Sequence, residues 1–352
     1  MASSLDNVMV GVILAAGKGA RMYPFSERSP KPILPILNRP LLAHQIEVMR
    51  DCGISDIHIV VGHLGYQVAS FFGDGSSYGV RIKFVEQEST LGLAHAVGAL
   101  ETRIQLPFLL MLGDIYFHLK APLRPLCDQV LSGAVNANLV SMYEPDPEMV
   151  KRNFVIQADD TGRVHKVIEK PRYVNSQLKG CGLYVFDPHI FDAIRRTPRT
   201  AMRDEYEITD SIQILINDGY VTHHHPIAER DLNLTKPADL LTINLIELAR
   251  SGLTRLVDES VKMPAGTHID RSVIGKDVTI THPIRITNTV IMPGVTVTAS
   301  TDLDSVVMDG EHTVYCPGVA AQAQAHLQSS TFAQSASASA EATADRSVDR
   351  PA

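Results

Sequence analysis

Apolar residues in the first half of the chain fall into short dense runs separated by segments with helical spacing. Residues 9–16 read MVGVILAA, an apolar run that stops at a Gly-rich turn, as a buried strand feeding a loop does. From 41 to 52 the apolar positions Leu41, Leu42, Ile46, Val48 and Met49 recur at helical spacing. A second strand is expected over 56–61 (DIHIVV), a helix over 67–72, strands over 80–85 and 107–112, and a helix over 90–100 between them. Strands alternating with helices predict an α/β fold, a Rossmann-like and mostly parallel mixed sheet sandwiched by helices. Ligands of such sheets bind beyond the C-terminal ends of the strands. The loop at Gly17 and the acid at Asp114 both directly follow a predicted strand, so both are expected on that edge.

After about residue 250 the texture changes. Helical spacing disappears, and Ser272-Val273-Ile274, Thr289-Val290-Ile291 and Ser305-Val306-Val307 recur at intervals of 17 and 16 residues. Val278 and Val295 follow the first two, with Gly275 and Gly294 close by. Short strands with glycine at the corners predict the coils of a short parallel β-helix, with a small β-sandwich or irregular cap as the alternative. From Ala320 the chain is rich in Ala, Ser, Gln and Thr and has too little apolar surface to offset its ordering entropy. The expected divisions are a catalytic domain over 1–248, a β-helix over 249–319 and a disordered tail over 320–352.

Composition narrows the class. The 352 residues include 45% hydrophobic and 20% charged, enough for sizeable cores in a soluble chain. A formal net charge of −7 speaks against a nucleic-acid partner, and no apolar run approaches the ~20 residues needed to span a bilayer. Cys52, Cys127, Cys181 and Cys316 show neither C-x-x-C nor framework spacing, so buried thiols in a reducing cytoplasm are expected.

The first candidate chemistry is the run Leu14-Ala15-Ala16-Gly17-Lys18-Gly19-Ala20-Arg21-Met22, with Ser29-Pro30-Lys31-Pro32 shortly after. Gly17 and Gly19 let backbone N–H groups approach an anion closely; Arg21 adds a bidentate phosphate donor, and Lys31 a mobile point charge. Neither the Walker A nor the dinucleotide-fold glycine spacing is present. With the strand in front, the run over 12–40 resembles the signature of the sugar nucleotidyltransferases, roughly L-A-x-G-x-G-T-R-L-x-P followed by P-K-P. The similarity extends over about residues 8–248, and a left-handed β-helix tail occurs in many members. Ala20 departs from the family's usual Thr. The resemblance implies a Mg²⁺-dependent enzyme in which Leu14, Ala16, Gly17 and Gly19 contact the nucleotide, and Arg21, Lys31 and Asp114 are catalytic.

Four further constellations gain meaning beside it. A buried Gln87 can pair one donor and one acceptor with a pyrimidine edge; in the family the matching Gln and Gly, here Gln87 and Gly92, contact the base. The form Gly92-Leu93-Ala94-His95-Ala96 resembles thymidylyl- and uridylyltransferases most. Asp114 in Leu112-Gly113-Asp114-Ile115 is a hard-oxygen ligand suited to Mg²⁺, although Ile115 replaces a frequent Asn. Val167-Ile168-Glu169-Lys170-Pro171 and Gly182-Leu183-Tyr184 resemble the strands that receive the sugar hydroxyls at Glu169, the sugar phosphate at Lys170, and the sugar at Gly182. Phe154 stands where a sugar-lining Gly is common. In Asp231-Leu232-Asn233-Leu234-Thr235-Lys236-Pro237-Ala238-Asp239 the family's second metal ligand corresponds to Asn233, with Asp231 in reserve. His223-His224-His225 is expected to be a polar strand end rather than a metal cluster, because neighbouring strand residues face opposite ways. The acidic run over 204–210 is expected to open a helix supporting the sugar wall.

The expected reaction joins a nucleoside triphosphate, dTTP or UTP, with a sugar 1-phosphate to give a nucleoside diphosphate sugar and pyrophosphate, in a cytoplasmic homo-oligomer. Two other classes stay open. One is a catalytically weak regulatory or scaffolding homologue, suggested by Ala20, Ile115, Phe154 and Asn233. The other is a nucleotide-sugar-dependent glycosyltransferase, which would be expected to show D-x-D where this chain has Gly113-Asp114-Ile115-Tyr116.

Overall fold

The computed structural model describes residues 8–327 except 88 and 202, and folds them into two compact units. The larger comprises residues up to 22, 26–34 and 40–234. Its strands are β1 (Val10–Ala15), β2 (Asp56–Val61), β3 (Arg81–Glu86), β4 (Phe108–Leu112), β5 (Ile115–Leu119), β6 (Ala137–Tyr143), β7 (Phe154–Ala158), β8 (Val164–Glu169), β9 (Leu178–Phe186), β10 (Thr222–His225) and β11 (Ala228–Asn233). Its principal helices are α1 (Leu41–Asp51), α2 (Gly65–Phe72), α3 (Leu93–Gly98), α4 (Arg124–Leu131), α5 (Ile190–Arg196) and α6 (Ile208–Asn217).

Nine strands form one sheet in the order β8-β7-β9-β4-β1-β2-β3, with β6 on β9 and β10 on β6. The pairs β4-β1, β1-β2 and β2-β3 are parallel, whereas β9 runs antiparallel to β4, β6 and β7. A mostly parallel mixed sheet was expected, and this is one. Side-chain alternation splits its core in two. Ile13, Ile59 and Met111 pack on one face against Ile46 and Met49 of α1 and Val130 of α4. Val12, Val60 and Leu110 pack on the other against Val97 of α3, Phe191 of α5 and Ile212 of α6. The predicted strands and helices in 9–112 all occur, with ends shifted by up to three residues. Prediction missed the ribbon formed by antiparallel β5 and β11, which lies outside the large sheet.

The second unit comprises 23–25, 35–39 and the described chain from 235. Its helix α7 (Pro237–Arg250) starts under a side-chain cap: Asp239 Oδ2 accepts from the N–H groups of Thr235 and Lys236 at 3.0 and 2.9 Å. Asn244 on α7 accepts from the Leu37 N–H and donates to the Pro35 carbonyl, at 2.8 and 3.0 Å. Asn38 donates to the carbonyl of Ile274. These bonds make α7 part of the C-terminal unit, although its sequence continues the catalytic segment.

The coils that follow stack in parallel. Leu256, Val273, Val290 and Val307 are in register, as are Ile269, Ile286 and Leu303, giving 17 residues per coil. The third coil therefore stacks through Val307 rather than Val306. The strand Thr313–Tyr315 then pairs antiparallel with Val306–Met308 and covers the solenoid's edge. Residues 319–327, most of them in the segment expected to stay disordered, are helical; the rest of the expected tail lies outside the described residues. Among the described residues no helix is long and apolar enough to cross a membrane.

Candidate active site

Adjacent parallel strands β1 and β4 end side by side, with Leu14 opposite Leu112 and the Gly113 N–H donating to Leu14 O at 2.8 Å. The glycine loop and Asp114 are therefore neighbours. Gly19 has φ +66, and the space where its Cβ would stand is closed by Lys31, whose Cγ and Cε are each 3.2 Å away. A side chain at 19 would be strained and would push Lys31 aside. Lys31 runs across the loop and brings Nζ within 3.4 Å of Asp114 Oδ2; the lysine side chain is 11% exposed and the aspartate 45%. Arg21, one residue past the loop on a short 3₁₀ turn, is exposed.

A residue missed by the sequence reading holds the Asp114 turn. Gln45, 2% exposed on the apolar face of α1, donates its amide to the carbonyls of Leu112 and Ile115, both at 2.8 Å. A lone polar residue on a buried helix face was the available signal. On the other side the Leu234 N–H donates to Asp114 O at 2.8 Å, and Asn233 stands opposite Ile115. Asn233 is exposed, so a carboxylate oxygen and an amide oxygen lie on adjoining strand ends, open to solvent. Those hard donors fit a divalent cation such as Mg²⁺, which keeps waters and takes further oxygens from phosphates. Asp231 is placed differently. Its Oδ1 lies 2.7 Å from Lys179 Nζ, with the two side chains 6% and 2% exposed, and burial pushes its carboxyl pKa up against the pull of that ammonium.

Gln87, at the end of β3, is 9% exposed and its Nε2 lies 3.4 Å from His95 Nδ1 on α3. Gly92 has φ +106, and a Cβ there would meet the Tyr206 carbonyl oxygen at 2.4 Å. Its missing side chain is thus required by the segment packed against it.

The acceptor side gathers around Glu169. It receives a hydrogen bond from Thr209 Oγ1 at 3.3 Å and one from Arg203 at 3.4 Å, with Lys170 Nζ at 3.6 Å. Arg203 also lies 2.8 Å from Glu207. Burial, and then repulsion from Glu169, pushes the carboxyls of Glu207 and Asp210 above their usual range. Lys170 sits at φ +41, a left-handed conformation that a non-glycine residue holds only where its surroundings impose it. The region expected as a supporting wall therefore contributes Thr209 and Arg203 directly to Glu169. Gly182 stands on β9 at φ +71, where a Cβ would meet Leu112 Cδ1 at 2.7 Å. Phe154 pairs across strands with Glu169, stacks on Tyr184 at 6.1 Å, and lays its ring over Gly180.

The three histidines behave as a polar strand end. His224 shares a hydrogen bond with Ser141 at 3.1 Å, and His225 Nε2 lies 3.0 Å from Asn138 Oδ1. Among the described residues no group of three or more His, Cys, Asp or Glu is placed to hold a metal ion. The four cysteines are free and buried.

Residues 10–230 match the family described as nucleotidyl transferase, and residues 256–346 match the GlmU-like C-terminal hexapeptide family. The low-salt glycan biosynthesis nucleotidyltransferase Agl11 of Haloferax volcanii is 34% identical over 270 residues, 76% of this chain and 72% of that protein. A glucose-1-phosphate thymidylyltransferase of Streptomyces griseus is 30% identical over 298 residues, 81% of each chain. A Bacillus anthracis crystal structure assigned to glucose-1-phosphate thymidylyl transfer and holding sucrose superposes with a TM-score of 0.61. It is 28% identical, and the match covers 69% of this chain and 96% of that one. Sugar nucleotidyltransferases generally depend on a divalent metal ion. With the glycine loop, Lys31 and Asp114 at one sheet edge and hexapeptide coils behind them in sequence, the chain belongs to the nucleotidyl transferase family, among its sugar-1-phosphate nucleotidyltransferases.

Proposed function

We propose that the protein transfers the nucleotidyl group of dTTP or UTP to a sugar 1-phosphate, releasing pyrophosphate, with Mg²⁺ held by Asp114 and Asn233. The contact of Lys31 with Asp114 beside the glycine loop carries this reading, because it sets a cation and a metal-ligating carboxylate at one phosphate cradle. The loop amides of Gly17 and Gly19, backed by Leu14 and Ala16, and the guanidinium of Arg21 grip the triphosphate. Gln87 reads the O4/N3 edge that thymine and uracil share. Glu169 accepts from sugar hydroxyls beside Gly182, while Lys170 and Arg203 neutralise the sugar phosphate.

The sugar phosphate oxygen attacks the α-phosphorus in line and the bond to pyrophosphate breaks. That nucleophile is already anionic near neutral pH, so catalysis is positioning and charge neutralisation rather than proton removal. Lys31 offsets charge on the α- and departing phosphates. Mg²⁺ held by Asp114 and Asn233 would supply further neutralisation of phosphate charge. The enzyme works in the cytoplasm as a homo-oligomer, a state that sedimentation would read directly.

Pyrophosphate release measured over five nucleoside triphosphates, each with a panel of hexose 1-phosphates, tests this. Turnover confined to dTTP and UTP is expected. A preference for purine triphosphates would refute the role given to Gln87, and no turnover with any pair would refute the reaction and favour a regulatory role.

A further inference from the structure

The Lys179–Asp231 pair has no part in the reaction as described, yet it is buried a few residues from both halves of the site. Lys179 lies on β9, three residues before Gly182. Asp231 lies on β11, two residues before Asn233 and on the same face of that strand. The main chains of β9 and β11 belong to different sheets: β9 is paired within the nine-stranded sheet, whereas β11 is paired with β5 in the separate ribbon. Lys179 Nζ and Asp231 Oδ1, 2.7 Å apart, connect the two. The second oxygen, Oδ2, is buried with no hydrogen-bond partner, and among the described residues the Lys179 ammonium is the one positive charge paired with this carboxylate, beside the Cys181 thiol of the same strand. Taking both charges out of water costs more than a well-packed apolar pair would, so stability alone gives no reason for the pair.

We propose that Lys179 and Asp231 are positioning residues, a clamp that sets the ribbon, which carries Asn233 and begins directly after Asp114, against the strand bearing the acceptor side. The clamp rests on the site assignments above. Neither residue touches substrate. In-line transfer tolerates little error between the two phosphates, and at Asp231 the ribbon meets β9 through side chains, foremost Lys179, rather than through a ladder of backbone bonds. Asp231 is therefore the anchor of the ribbon, leaving Asn233 as the ligand beside Asp114.

The test compares the full-length protein with Asp231→Asn, which is isosteric and uncharged, and with the apolar double Lys179→Met/Asp231→Leu. Amide hydrogen exchange and steady-state kinetics are the readouts. Both variants should exchange the amides of 115–119 and 228–233 at least tenfold faster, with β1 and β4 unchanged. Their kcat should fall about tenfold or more while KM for the triphosphate stays within twofold, and the double should keep the wild-type Tm. Should the double fail to fold, Asp231→Asn decides alone. Wild-type exchange in the ribbon, or faster exchange with wild-type kcat, overturns the clamp. Absence of turnover in the unaltered protein would instead refute the proposed reaction, and ribbon exchange would still decide whether the pair clamps.

Discussion

Gly180 and Phe154 form a size pair whose coupling can be measured. A Cβ built on Gly180 would lie 1.8, 2.2 and 2.3 Å from Cζ, Cε1 and Cε2 of Phe154. Carbon atoms pack at about 3.5–4.0 Å, so Gly180→Ala forces the ring to retreat by roughly 1.5 Å. The ring is only 5% exposed and stacked against Tyr184, itself 2% exposed. Overpacking of a tight interior costs about 1–3 kcal/mol, and the enclosed ring puts this substitution at the upper end. Each kcal/mol lowers Tm by roughly 2–4 °C in a domain of this size. Phe154→Ala alone leaves a cavity and should cost about 3–5 kcal/mol. In the double variant the methyl group introduced by Gly180→Ala enters the vacated space without a clash, so the double should be no less stable than Phe154→Ala alone. The expected coupling is therefore about 2–3 kcal/mol, well outside the ~0.5 kcal/mol scatter of independent sites. Urea titration of the four proteins, followed by far-UV circular dichroism, supplies the cycle. Additivity within that scatter, or a Gly180→Ala variant as stable as wild type, would refute the packing argument. Because Phe154 is the cross-strand neighbour of Glu169, Phe154→Ala should also raise KM for sugar 1-phosphate and leave KM for the triphosphate unchanged.

Removing the carboxylate in Asp114→Ala should lower kcat by roughly 10³-fold, as expected for several kcal/mol of metal-dependent charge stabilisation, with an unchanged circular dichroism spectrum; wild-type turnover in Mg²⁺ would sink the assignment. Arg203→Gln should raise KM for sugar 1-phosphate roughly 10–100-fold, the worth of a hydrogen bond to a charged group, and initial-rate kinetics with either substrate varied would expose any equal effect on the triphosphate. His225 gives a pH signature. Burial, reinforced by His224 and His223, lowers its pKa to about 4, whereas an unfolded histidine takes its proton near 6.5. The unfolded chain thus binds more protons between those values, and this contribution to stability, present above pH 6.5, is lost as pH falls towards 4. The gap in Tm between wild type and His225→Gln should narrow from pH 7.5 to 4.5; a constant gap would contradict the half-buried neutral imidazole.

Local pattern in the sequence determined what depends on neighbours along the chain. Dense apolar runs and helical spacing located β1 to β4 and α1 to α3, and glycines before Arg21 marked a phosphate cradle, because strands, helices and anion-binding turns are built from contiguous residues. The 17-residue repeat was visible for the same reason, although only coil stacking decided that Val307 rather than Val306 carries the third register. Long-range contacts decided the rest. Gln45 reaches the Asp114 turn across 70 residues, Lys31 meets Asp114 across 83, and Lys179 finds Asp231 across 52. Periodicity holds no information about such partners. Asp231 read as a spare metal ligand because spacing alone put it on the face of Asn233; packing β9 against the ribbon supplied the ammonium that occupies it. Phe154 read as an isolated departure at the sugar pocket, and the fold shows its ring filling the volume that Gly180 leaves empty. Residues 320–327 are helical where composition argued for disorder, and Ala323 among them is buried, a consequence of packing that composition does not record.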